Sequence, residues 1–325
     1  MLRTLPLLIM HTMLAIVSLG VALSVGSIDI SLADLWRVLI NQGTTEHSSI
    51  IWQLRWPRAG AAFATGGLLS IAGVLMQVLL RNPLADPYVL GTSGGAALFA
   101  LLAMLVGFSG IVLAGSAFAG ALFSTLLVMG IAHGRDSWTA NRLLLTGVVI
   151  AFGWGAFISF ILSVAPQYNL RGMLFWLMGD LSHSTLAWPG LLALVILLII
   201  TLPMSRTLNI LQGGSQQAAA LGVNLQRSQW ILYLLASLCT AIAVTLAGTV
   251  GFVGLVVPHL LRLICGRSDH LLIIPGSVLL GGSLLVFADT LARTAFAPLQ
   301  IPVGVMTAAI GVPVFLYLLY RHART

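Results

Sequence analysis

Apolar runs long enough to cross a bilayer recur along almost the whole chain. They lie near 5–25, 57–80, 91–108, 110–132, 142–165, 185–203, 230–249, 271–296 and 303–320. A shorter run, Phe252 to Cys265, is interrupted by Pro258-His259 and counts as a tenth. A spanning helix needs about 20 mostly apolar residues. The pattern therefore predicts an all-α polytopic membrane protein of about ten transmembrane helices, one membrane domain over residues 1–325. Leu5 to Val25 is long enough to span and no A-x-A site follows it, so it reads as the first crossing rather than a secretion signal.

Ten crossings put both termini on one side, and the polar connections then alternate. One side holds Arg3, Arg81, Arg135, Arg142, Arg206, Arg227, Arg262, Arg267, Arg321 and Arg324. The other holds Arg37, Arg55, Arg58, Arg171 and Arg293. Arginine accumulates in cytoplasmic connections. Ten against five places both termini, and the connection 204–229, in the cytoplasm.

That connection reads MSRTLNILQGGSQQAAALGVNLQRSQ. Ser215 is the expected N-cap of a short helix, Gln216 to Leu221 its body, and Gly222 its stop. Asn224 caps the next helical start. A helix this short does not hold alone in water, and the segment carries no nucleophile, metal-ligand cluster or phosphate loop. It suits docking into a groove on a partner; a solvated connector is the alternative. On the opposite side, Leu32 to Leu39 after Ser31 reads as an amphipathic piece. Tyr168 to Leu181, with Arg171 amid Met173, Phe175 and Trp176, reads as an interfacial helix with an aromatic anchor, or else as a substrate contact.

Composition agrees with the pattern: 59% of residues are hydrophobic and 7% charged, against roughly 25% charged in a soluble domain. Every basic residue is arginine, and the high isoelectric point reflects scarce acids. No basic patch interleaved with aromatics exists, so nucleic acid is not an expected partner. Cys239 and Cys265 sit in apolar runs and read as small buried hydrophobes. Gly66 with Ser70, Gly147 with Ala151 and Gly155, and Gly115 with Ala119 repeat at four-residue spacing, which lets helices approach closely in lipid.

Arg81 to Pro87, RNPLADP, sets two prolines around a stiff turn that ends one helix before the next begins. Gly91 to Gly95, GTSGG, then brings bare backbone to a helix start, without the lysine-containing loop of a nucleotide site. Gly248 to His259 breaks the backbone at membrane depth, which requires burial in protein or a cavity lining. There His259 and Arg262 read as a metal or proton site, or as hydrogen-bonding groups near the end of a short helix. Asp289 and Arg293, one turn apart, read as a mutually neutralising pair or as a functional site. Glu46 is the single glutamate, so paired-carboxylate catalysis and metal-assisted hydrolysis are excluded, and no catalytic or metal-ligating residue is expected. Arg55-Trp56-Pro57-Arg58 and Arg293 set three arginines at one outer surface, suited to anionic lipid, an anionic substrate or the carboxylates of an external protein.

Together these stretches carry a resemblance. RWPR at 55–58, NPLADP at 82–87, VLGTSGG at 89–95, LLLTG at 143–147 and WLMG at 176–179 occur in order. GFVGLVVPHLLR at 251–262, ADTLAR at 288–293 and IPVG at 301–304 follow. The chain resembles the FecCD-type permeases of bacterial ABC importers, which include vitamin B12, haem and ferric-siderophore permeases.

The resemblance implies a type II ABC importer permease fold in the bacterial inner membrane and a homodimer with the pathway at its interface. It also implies two cytoplasmic ATPase subunits that bind the ATP and Mg, with no cofactor in this chain. Arg55, Arg58 and Arg293 would meet acidic residues of a periplasmic binding protein that delivers the metal chelate. Asn82 and Leu84, with Ala140 and Asn141, match the positions that close the cytoplasmic end. Ser215, Gln216, Gln217, Ala218, Ala219, Ala220, Leu221 and Gly222 match the ATPase-coupling helix. Two departures stand out: Gln300 where the family usually has glutamate, and Gly213-Gly214-Ser215-Gln216 where Gly-Glu is common. The rival reading from the residues alone is a proton- or ion-coupled secondary transporter dependent on Asp289.

Overall fold

The computed structural model describes residues 5–26, 28–132, 140–182, 184, 187–266 and 269–322. Arg3, Arg135, Arg267 and Arg324, and the side chain of Arg321, lie outside them. The described residues are helical throughout, without strands. In order they form α1 (Leu5–Ser24), α2 (Leu32–Leu39) and α3 (Thr45–Ser49), which runs through a π turn, Ile50–Arg55, into α4 (Trp56–Leu79). A 3-10 turn, Pro87–Leu90, leads into α5 (Thr92–Leu105), followed by α6 (Gly110–Ala132), α7 (Ala140–Val164) and α8 (Gln167–Leu177). Next come α9 (Ala187–Thr201), α10 (Ser205–Gln212), α11 (Ser215–Ala220) and α12 (Leu225–Ala247). The chain closes with α13 (Val253–Cys265), α14 (His270–Thr294) and α15 (Val303–His322).

Among the described residues seven helices are long and apolar enough to cross a membrane. The three shorter apolar helices α5, α13 and α15 complete the ten runs read from the sequence. Helix direction alternates, which sorts the polar segments to two ends. Residues 80–86, the start of α7, α10, α11 and the start of α14 share one end, called here the handle. The starts of α4 and α6, with α2, α8 and the end of α14, share the other, the mouth.

α4 is the axis. A helix that is apolar all round belongs in the interior, and α4 is buried along nearly its whole length against α14, α12, α9 and α13. Glycine makes this possible. A Cβ on Gly66 would lie 2.2 Å from the Gly281 carbonyl oxygen of α14, and one on Gly73 would lie 1.9 Å from the Gly254 oxygen of α13. Gly147 likewise admits the Val89 carbonyl at 2.6 Å. The other small-residue expectations fail within the chain: Gly115 and Gly155 have no neighbour within 4 Å. They sit on α6 and α7, where only 33% and 17% of the spanning window is buried, so spacing alone did not distinguish a contact face from an open one.

The break before α13 is partly covered by protein, with Val250 buried and Thr249, Gly251 and Phe252 half-buried, and Phe252 lines a cavity, the two settings that a broken backbone at depth requires. Gly248 and Phe252 take left-handed φ of 67° and 69°. The Tyr88 hydroxyl accepts the Val250 N–H at 3.1 Å, and the Thr249 hydroxyl donates to the Leu177 carbonyl. α13 therefore starts part-way down the bundle, which explains why its run is short.

Candidate functional site at the two ends of the bundle

At the mouth, three helix ends converge, and each leaves backbone groups without helical partners. Arg55, only 7% exposed, donates to the Leu23 and Ser24 carbonyls at 2.6 and 2.7 Å and to the Ile28 carbonyl. Arg293 donates to the Ala22 carbonyl. Both cations thus sit on the C-terminal carbonyls of α1, where the helix dipole favours positive charge. Arg58 turns instead to α14. Its Nε and Nη2 donate to the Asp289 carboxylate at 2.9–3.0 Å, and its Nη1 donates to Gln300 Oε1 at 3.0 Å.

This corrects the pairing read from spacing. Asp289 is bridged by Arg58, not by Arg293 one turn away. The planar guanidinium fork satisfies both carboxylate oxygens from a facing helix, while Arg293 reaches the orphan carbonyl of α1. The three arginines come together as expected, but Arg55 is enclosed by its own chain and presents little surface to another. Gln300 completes the set by accepting from Arg58, a role its sequence position alone did not disclose.

At the handle, Asn82 caps its own turn by accepting the Leu84 N–H at 2.9 Å. Asp86 accepts the Tyr88 N–H at 2.7 Å, while burial pushes its carboxyl above the usual range. Asn82 and Asn141 are exposed, and Leu84 is 39% exposed. The side chain of Ala140 lies outside the described residues. The Gly147–Val89 approach sets the start of α7 beside the 3-10 turn, so the Asn82–Leu84 loop and the Ala140-Asn141 corner share one end.

α11 follows the expected limits with one change. Gly214, at φ +117°, occupies the N-cap position, and Ser215 is the first helical residue. Its hydroxyl is free of capping and accepts from Arg81 Nη1 at 3.3 Å. Ala218 is fully buried, whereas Gln216, Gln217, Ala219, Ala220 and Gly222 are exposed and Leu221 is 60% exposed. Gly222 stops the helix at φ +79°, and Asn224 caps α12 by accepting the Arg227 N–H at 3.0 Å.

The sequence reading passed over two polar links at this end. Asn209 of α10 donates to Asp269 at 2.9 Å and accepts the His270 N–H at 2.9 Å, fixing α10 to the start of α14. Gln77, 4% exposed within the apolar α4, accepts from Arg262 and donates to the Leu255 carbonyl at 3.1 Å. The signal for Gln77 was present, since a polar side chain inside a spanning run must find partners. Arg262 takes the hydrogen-bonding role read for it. Among the described residues no group of three or more His, Cys, Asp or Glu is placed to hold a metal ion.

The FecCD transport family model matches residues 13–321. The chain belongs to that family. It is 37% identical over 329 residues to the ABC transporter permease protein YvrB of Bacillus subtilis (strain 168), covering 95% of this chain and 91% of that one. It is 38% identical over 282 residues to the vitamin B12 import system permease protein BtuC of Salmonella paratyphi A, covering 84% of each. Its fold matches a metal-chelate type ABC transporter solved in an inward-facing conformation. There the TM-score is 0.85 at 27% identity, over 98% of this chain and 99% of that one. The FecCD chain thus has the type II ABC permease fold and is a multi-pass membrane subunit of the ABC permease kind.

Proposed function

We propose that this FecCD chain is the gated pore of an ATP-driven importer for a metal chelate: an iron-siderophore, haem or a corrinoid. Two copies enclose the pathway in the bacterial inner membrane, with both termini in the cytoplasm. Two ATPase subunits bind ATP and Mg and dock on α11, and a periplasmic binding protein delivers the chelate at the mouth, where Arg58 and Arg293 are the arginines nearer the surface. Asn82, Leu84, Ala140 and Asn141 close the cytoplasmic end. The subunit itself performs no covalent chemistry, and differential binding by the ATPase states supplies the free energy of gating.

One observation carries this reading. The short helix α11 projects an uncharged, largely exposed face, and its first residue is bonded to Arg81, next in the chain to Asn82. The α11 segment and the loop that holds Asn82 are thereby in direct contact, which supports reading the first as a docking surface and the second as a gate. The arrangement also weakens the rival carrier, because Asp289, the acid it would titrate, is committed to Arg58.

Replacing residues 216–221 with a Gly/Ser linker tests the proposal. The expected result is a folded membrane chain that no longer copurifies with its ATPase subunit and no longer supports ATP-dependent uptake into liposomes. Retained copurification would refute the docking role of α11. Uphill uptake without any ATPase subunit would refute the import reading as a whole.

A further inference from the structure

The mouth holds a second feature, separate from the arginine cluster. A cavity of about 680 Å³ lies between α8, the start of α6 and the end of α12. α8 contributes one helical face to it, Tyr168, Arg171, Gly172 and Phe175, at i, i+3, i+4 and i+7. Its other face, with Met173 and Leu177, packs on Leu98, Leu101 and Trp154 and holds α8 away from α6. The cavity is a consequence of that one-sided docking.

Its chemistry is divided. Arg171 is exposed, and among the described residues the one partner of its guanidinium is the Phe175 ring, 5.5 Å away. The guanidinium therefore keeps its donors open for an anion. Across the same cavity stands Asp180, its carboxylate accepting the Ser182 N–H at 2.8 Å and the Ser182 hydroxyl at 2.6 Å. Those bonds fix the acid and leave lone pairs for a cation. Ser184 Oγ, also lining the cavity, is buried without a partner among the described residues. The remaining wall is apolar, through Met104, Ile111 and Leu113. Beside it Val106 and Phe108, in the connection between α5 and α6, and Ile111, in the first turn of α6, are 71%, 51% and 79% exposed. Tyr168 is 83% exposed, and such an aromatic side chain at a helix end suits the level of lipid headgroups.

We infer that this cavity is a binding site for a zwitterionic phospholipid with a primary ammonium, phosphatidylethanolamine, from the leaflet at the mouth. Arg171 takes the phosphate, Asp180 takes the ammonium, and the upper acyl chain lies along Ile111 and Leu113. A guanidinium and a carboxylate in one cavity select against a headgroup of single sign. The apolar wall selects against a free phosphate. The inference needs only the chain in a bilayer, so it stands or falls separately from the import reading.

Native mass spectrometry of the purified chain, exchanged into phosphatidylethanolamine or phosphatidylglycerol of matched acyl chains, tests it. One phosphatidylethanolamine per chain is expected to survive delipidation. Arg171→Gln and Asp180→Asn should each weaken its retention about tenfold, the scale of one charge-assisted hydrogen bond. Asp180→Asn should at the same time improve retention of phosphatidylglycerol, and Arg37→Gln, on α2 at the same end, should change neither. Equal lipid retention by the wild type and Arg171→Gln would overturn the site. Loss with Arg171→Gln but not with Asp180→Asn would overturn the zwitterionic assignment. Displacement of the bound lipid by added haem or cyanocobalamin would make the cavity a cargo site and overturn the lipid one.

Discussion

The mouth and the handle use polar groups in opposite ways. At the mouth, Arg55, Arg58 and Arg293 each engage carbonyls or a carboxylate from a different helix, and α1, α4 and α14 are tied by charged donors in partly buried surroundings. At the handle, α10 is fixed to α14 through Asn209, but among the described residues α11 is joined to the 80–86 loop by one exposed side-chain hydrogen bond, Ser215 to Arg81. Charge-assisted bonds removed from water are strong, and exposed neutral acceptors contribute little. The mouth is therefore the more firmly tied end, and the handle the end that the proposed docking partner would have to move. Perturbing each end separately tests that contrast.

The largest effect belongs to the Arg58–Asp289 bridge. Asp289→Ala leaves a half-buried guanidinium without its carboxylate, and breaking such a pair from one side costs about 3 kcal/mol. The measurement is the thermal midpoint of the detergent-solubilised chain. The double substitution Arg58→Leu with Asp289→Leu should be less damaging than Asp289→Ala alone, because no unpaired charge remains. Additive losses would show that the bridge is not the unit.

Glycine contacts come next. Gly73→Ala drives a Cβ into the Gly254 carbonyl, with backbone on both sides and nothing flexible to yield. Overpacking of this kind costs about 1–3 kcal/mol. Gly115→Ala and Gly155→Ala meet no neighbour within 4 Å and should leave the midpoint of the isolated chain unchanged or slightly raised, since alanine favours helix. A loss at Gly155 of the size seen at Gly73 would mean that another surface covers α7. Asn224→Ala removes the side-chain cap of α12 and should cost about 1 kcal/mol.

The sequence made the helices legible because lipid leaves the backbone few alternatives: each apolar run had to become a helix or hide its breaks. The caps at Asn224 and Gly222 and the turn at Asn82 were equally readable, being local. What escaped was lateral. Asp289 and Arg293 are neighbours in sequence, yet the partner of Asp289 lies 231 positions away on α4. Gly66 and Gly115 stand in the same spacing, but only one faces another helix. Ser215 has the side chain of an N-cap, but the left-handed geometry that the chain needs before α11 falls on Gly214, which displaces it by one residue. Each miss concerns which face of a helix meets which neighbour, information a one-dimensional period does not hold.

The smallest expected effect is the most informative about the handle. Ser215→Ala removes the acceptor for Arg81 at a position where water can replace it, so stability should change by less than about 0.5 kcal/mol. Docking should also survive, because Leu221, the bulkiest exposed residue of the α11 segment, is untouched. If the bond carries motion from α11 to the Asn82–Leu84 loop, the reconstituted transporter should hydrolyse ATP at its usual rate while importing fewer chelates per ATP. Arg81→Gln should do the same, and Ser215→Thr, which restores a hydroxyl, should recover the ratio. An unchanged ratio in Ser215→Ala, measured beside a Leu221→Asp variant that loses the ATPase altogether, would show that force reaches the gate loop through the packing of Ala218 and not through the bond.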